Sequence, residues 1–105
     1  MNGIELITAE RKRQIEEEGF TTENDRFYDL EELAGAAVCY ALPERVRDWV
    51  FPDNKTLQEH LWPFEDRWWK PSPDDRIREL TKAGALIAAE IDRLRLVEKG
   101  NADYK

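Results

Sequence analysis

"SPDDRIRELTKAGALIAAEIDRL", residues 72–94, decides the fold. Ile77, Leu80, Gly84, Ile87, Ile91 and Leu94 recur at alternating steps of three and four, which lines them up along one side of a helix. That spacing is the seam of a helix packed against neighbours in a bundle, so the stripe is expected to face a core. The residues ahead of it carry a start signal. Ser72 suits the N-cap, Pro73 the first helical position, and Asp74 and Asp75 the positive end of the helix dipole. A long helix is predicted over 73–97.

Working outward, Ile4, Ile7, Arg11 and Ile15 also recur at helical spacing, and Gly19 follows as a C-terminal stop, which predicts a helix over 4–18. Its inward stripe is unusual because Arg11 and Gln14 stand where leucine or alanine belongs. A buried arginine requires a carboxylate partner or an anionic ligand, and Asp25 or Glu32 is the expected internal partner. "DLEELAGAAVCYAL", 29–42, reads as a central buried helix, with Asp29 as N-cap and Glu32 completing a capping box. Between residues 43 and 72 the composition changes. All five prolines lie from Pro43 to Pro73 and all four tryptophans from Trp49 to Trp69. A connector of that length without structure would be unusual, so a packed or functional segment is expected, with short helical turns in "PERVRDWV" and in "DNKTLQEHL", the latter capped by Asp53 or Asn54. No period-2 alternation marks a strand. The fold class expected is all-α: a single domain, 1–105, in which three main helices bundle with short helices in a Trp/Pro-rich connector.

Composition narrows the function classes. The chain has 105 residues, 41% hydrophobic and 37% charged, with a net charge of −7. Acids spread along the chain repel nucleic-acid phosphates and anionic membranes, so direct nucleic-acid binding and membrane association are not expected. A polyanion or small anion would need a local basic pocket. Cys39 and His60 are the only residues of their kinds, which argues against a disulfide framework and against thiolate- or histidine-rich metal sites. No signal peptide or membrane span is read from the apolar runs, and a cytoplasmic location is expected.

Chemistry would then fall to carboxylates or to a binding pocket. Helical bundles hold Mg2+ by projecting acids inward at i and i+3 or i+4, and the candidates are Glu18, Asp25, Glu31, Glu32, Glu79 and Glu90. For each, capping, ion pairing or solvation is the competing role. Lys82 interrupts the apolar run "LTKAGALIAA" beside Gly84 and Ala85, where a flat group has room to approach. In "WPFEDRWWKP", 62–71, neighbouring residues point opposite ways, so one of Trp68 and Trp69 is expected to enter the core and the other to face a cleft. With Arg67, Lys70 and Arg76 nearby, an indole here suits a stacked base whose phosphates are held by cations. Part of this segment is expected to close the bundle and the rest to wall a pocket against the first and last long helices.

"ERKRQIEEEGF", "DLEELAGAAVCYA", "WPFEDRWWKP" and "RELTKAGALIAAEIDRL" together resemble a family of small helical proteins encoded by phages and prophages, over nearly the whole chain. The opening "ERxRQ" and closing "ELxxxxxxxxxEIxRL" are also similar to the all-helical MazG-like nucleotide pyrophosphohydrolases, which act on nucleoside triphosphates with Mg2+. The second resemblance implies an E-x-x-E pair on one helix and an E-x-x-D pair on the next. Here the positions read "DLEE" at 29–32 and "ELTK" at 79–82: Asp29 and Glu32 fit the first pair, but Lys82 stands in place of the second acid. A cation there repels Mg2+ and attracts phosphate.

The expected function is therefore capture of a nucleotide-like anionic ligand without turnover and without a cofactor, by Arg11, Gln14, Trp68, Trp69, Lys70, Arg76 and Lys82. A phage origin would make such a protein a sponge for a host nucleotide signal, in counter-defence in the host cytoplasm. The enzyme alternative, a Mg2+-dependent pyrophosphohydrolase, would use Asp29, Glu32 and Glu79 as catalytic groups and Glu18, Asp25, Asp29, Glu32 and Glu79 as metal ligands. A third alternative is a protein-interaction module built on the Trp-rich segment. Homo-oligomerisation is expected in each case, because the long apolar seam exceeds what a small core covers.

Overall fold

From the amino end, the chain forms α1 (Gly3–Glu18), α2 (Thr22–Asp25), α3 (Glu32–Ala41), α4 (Glu44–Arg47), α5 (Leu57–Leu61), a 3-10 turn (Asp66–Trp68) and α6 (Arg76–Asp103). The computed structural model describes residues 1–103, and the side chains of 1–99. The protein is all-α; among the described residues the only bridge is the isolated pairing of Val50 with Thr56, and no helix is long and apolar enough to cross a membrane.

The helix ends follow local chemistry and correct three sequence-based expectations. Gly19 closes α1 in the left-handed conformation (φ 72°), as its position suggests, and its N–H donates to the Gln14 carbonyl. α3 starts at Glu32 rather than Asp29. Glu31 takes a positive φ of 61° and Glu32 bends back to accept the Leu30 N–H at 2.7 Å, so there is no capping box. α6 is capped by Asp75, whose Oδ1 accepts the Arg78 N–H at 3.0 Å; Ser72 and Pro73 belong to the preceding turn, closed by the Asp75 N–H to the Ser72 carbonyl at 2.9 Å. In α5 the cap is Thr56 in a capping box with Glu59, because Asp53 is engaged with the Lys55 N–H and with His60.

α6 is the spine, and α1, α2 and α3 all pack on it. The α3–α6 contact is built from Ala36, Ala37, Ala83 and Ala89 with Leu33, Tyr40 and Leu86. Small residues let the two backbones approach closely, and Tyr28, Trp62, Phe64 and Trp69 then cover the edge of this thin core. Gly84 serves the same purpose against α1: a Cβ built there would lie 2.5 Å from the Ile7 Cδ1, so only glycine seats α1 without displacement.

The stripe Ile77, Leu80, Ile87, Ile91, Leu94 does not face the core. All five side chains are exposed, and the buried side of α6 is Glu79, Thr81, Ala83, Ala85, Leu86, Ala89, Glu90 and Arg93. α1 is mixed: Arg11 and Gln14 are buried as its sequence suggests, with Glu10 beside them, and Ile7 faces Gly84 of α6, whereas Ile4 and Ile15 are exposed. The physical reason is that each buried charge meets an opposite charge on its own or the facing helix. Arg93 donates twice to Glu90 (2.7 and 3.0 Å), and Arg78 reaches across from α6 to Glu10. The molecule is only 19 Å through its thinnest direction, about two helix diameters, which leaves the back of α6 uncovered.

Candidate functional site

Two polar networks and one aromatic cluster shape a single large hollow. The first network fixes the Trp/Pro-rich connector. Glu79, fully buried, accepts from Arg47 (3.1 Å), Arg76 (3.3 Å) and the Ser72 N–H (3.1 Å). Arg76 also donates to the Tyr40 and Ala41 carbonyls at the end of α3, and Arg47 to the Cys39 carbonyl. Burial pushes the Glu79 carboxyl up, but the Arg47 guanidinium outweighs it and holds the group below the ordinary carboxylate range. Glu79 and Arg76 are thus bracing groups, paired with each other, and Arg76 ties the pair to the end of α3.

The aromatic cluster sits above this brace. Tyr40 and Trp69 lie 4.7 Å apart between ring centroids, Trp62 and Trp69 5.1 Å, Trp62 and Phe64 5.8 Å, and Tyr28 and Phe64 5.3 Å. Arg47 lies over the Trp69 ring at 5.3 Å. Trp69 is consumed in packing. Trp68, its neighbour, turns outward with Arg67 and Lys70 against its ring at 5.0 and 5.5 Å. Trp68 ends the 3-10 turn and Trp69 follows it in extended backbone, and the two indoles diverge.

The second network joins α1 to α2 and α6. Glu10 is gripped by Arg13 (2.8 Å to each oxygen) and by Arg78 (2.6 Å). Burial alone would raise the Glu10 pKa, but these two guanidiniums bring it down to about 2. Arg11 donates to the Phe20 carbonyl at 2.7 Å and stands 3.9 Å from Asp25 and 3.6 Å from Asp92. Burial pushes the Asp25 carboxyl up, opposed by Arg11 and reinforced by Glu90 and Asp92.

Between these parts lies a hollow of about 610 Å3, within the range of small-molecule sites. α1 supplies Glu10, Arg13, Gln14, Glu17 and Glu18; α2 supplies Asp25; α3 supplies Leu33, Ala36 and Tyr40; the connector supplies Trp62, Phe64, Trp68 and Lys70; and α6 supplies Lys82 and Leu86, with Phe20 and Tyr28 from the loops. Lys82 donates to the Lys70 carbonyl at 2.8 Å and lies 5.5 Å over the Tyr40 ring, which pins its ammonium on the aromatic wall. Its pKa is lowered, chiefly by burial and then by Arg78.

Of the residues the sequence singles out for binding, Gln14, Trp68, Lys70 and Lys82 line this hollow together, and Arg11, Trp69 and Arg76 stand behind its walls in structural pairs. Of the acids, Glu18 and Asp25 line it. Asp29 and Glu32 do not, and Glu79 belongs to the separate brace. Among the described residues no three His, Cys, Asp or Glu side chains converge as a metal-binding group. Sequence reasoning missed Glu10, Arg13 and the tyrosines. Glu10 and Arg13 carried a legible signal, an i,i+3 opposite-charge pair; Tyr28 and Tyr40 carried none, since only the closing of α3 on α6 brings them beside Phe64 and Trp62.

Comparison of the chain with protein-family models, with curated proteins and with solved structures finds no match.

Proposed function

We propose that this protein binds a nucleotide-like ligand in the hollow and releases it unchanged. The observation that carries the reading is the pairing of flat aromatic walls (Tyr40, Trp62, Phe64, Trp68) with two amines, Lys70 and Lys82, in a cavity of about 610 Å3. Rings offer a stacking surface to a base, and ammonium groups against those rings offer charge to phosphate. The hydrolase alternative has less to support it, because Glu79 is paired with Arg47 and Arg76 and does not line the hollow with Glu18 and Asp25. A protein that holds such a ligand without consuming it acts by lowering its free concentration, which would serve to quench a host nucleotide signal.

The test is titration with nucleoside mono- and triphosphates, followed by calorimetry and by tryptophan fluorescence. Saturable binding at micromolar or lower concentration is expected, with a loss of at least tenfold in Lys82→Ala and in Trp68→Ala while the helical circular dichroism signal is kept. Failure of every nucleotide to bind would end the proposal.

A second copy of the chain is the proposed partner for the exposed seam of α6. Steps of three and four make the row Ile77, Leu80, Ile87, Ile91, Leu94 self-complementary in the manner of paired helices, and one face of a thin molecule presents it unobstructed.

A further inference from the structure

Beside the hollow the buried Nε of Arg11 has no acceptor, and two buried oxygen atoms have no hydrogen-bond donor: Oδ2 of Asp25 and Oε1 of Gln14. Both residues line the hollow, and both are nearly solvent-free, at 1% and 3% exposure. The orientation of the Gln14 amide is fixed by its surroundings. Its Nε2 donates to the Glu10 carboxylate at 3.2 Å, and turning the amide over would set oxygen against oxygen. Asp25 has charge compensation from Arg11 at 3.9 Å, a distance too long for a hydrogen bond. A buried acceptor left without a donor costs on the order of 1–3 kcal/mol, so two in one cavity mark a place where a ligand's N–H groups are needed.

From this donor demand we infer that the hollow selects a base presenting adjacent N–H donors, which among the common purines is guanine. The inference rests on the nucleotide reading above and adds the identity of the base. Guanine offers its N1–H and its exocyclic amino group side by side, an amidine-like edge that a carboxylate accepts with two parallel hydrogen bonds. Adenine presents one amino group next to the N1 lone pair, which a carboxylate repels. Hypoxanthine keeps N1–H but lacks the amino group and ranks between them. Arg11 stands 3.9 Å from Asp25 and 3.6 Å from Asp92, which puts Asp25 near the Asp92 level of α6, about 15 Å along the helix from Lys82. That is a span comparable to a nucleotide from base edge to phosphate, with Leu86 and the aromatic walls between. The anionic end of the ligand therefore stays with the lysines, and the carboxylate meets only the donor edge.

The experiment is calorimetric titration of the full chain with GMP, IMP and AMP, which share sugar and phosphate and differ only in that edge. GMP is expected to bind at least tenfold more tightly than AMP, with IMP intermediate. In Asp25→Asn, which replaces one acceptor by a donor, the GMP preference over AMP should fall to threefold or less. Because Asp25 also faces Arg11, Gln14→Leu serves as a second variant: it leaves Glu10 held by Arg13 and Arg78 and should weaken GMP more than AMP. Binding of all three with equal affinity, or preference for AMP, overturns the guanine assignment while leaving the nucleotide reading intact. Silence with all three overturns both.

Discussion

The inward face of α6 carries Glu79, Thr81, Glu90 and Arg93 among alanines, whereas its outward face carries Ile77, Leu80, Ile87, Ile91 and Leu94. By hydrophobicity alone the helix would be turned the other way. The inward face is held by specific pairing: each buried charge has a partner at hydrogen-bond distance, and alanines allow the close approach that makes those pairs possible. The outward face is about half exposed or more. Inward stability is thus concentrated in a few polar groups whose loss is severe, and outward apolar surface is left for association.

The sharpest way to break this contrast is Glu79→Ala. It leaves Arg47 buried without its partner, and a loss of about 3–5 kcal/mol is expected in urea denaturation. If the variant lost less than about 1 kcal/mol, the inward face would not be held by charge pairing.

Acid offers a second route. Arg13 and Arg78 bring the Glu10 pKa from 4.5 to about 2, a change equivalent to about 3 kcal/mol. A carboxylate with a lowered folded-state pKa contributes stability that is complete above its unfolded value near 4.5 and is lost as pH falls toward 2. The melting temperature should decline through that window, and Glu10→Gln should be less stable than the parent at pH 7 but lose less on acidification.

Gly84→Ala examines the contact between α1 and α6. The new methyl meets Ile7, and a destabilisation of about 1–2 kcal/mol is expected, largely relieved when Ile7→Ala is added. A strictly additive double variant would contradict the close approach.

The smallest effect on folding should come from the outward face. Ile87→Ser with Ile91→Ser should change the stability of the dilute protein by less than about 0.5 kcal/mol. Light scattering at high concentration should nevertheless show the parent as an assembly and the double variant as a monomer. A monomeric parent would remove the proposed role of that face.

Much of the candidate site could be read in advance. Aromatics and Lys70 in "WWKP", together with Lys82 in an alanine run, were legible as lining residues of one hollow, and Arg11 announced a buried partner, which Asp25 supplies. Arg76 and Trp69 were chemically suited to a ligand but had competing partners, the Ala41 carbonyl and the Tyr40 ring, that lie more than 25 residues away in sequence. Local spacing holds no information on such pairings.

What the sequence determined by itself is the three long helices and part of the cleft's lining, because periodicity, glycine stops and side-chain chemistry act within a few residues. Only the tertiary structure decided which face of each helix turns inward and which cations line the hollow. Those outcomes depend on whether a buried charge finds an opposite charge across the bundle, and that is a property of the packed chain.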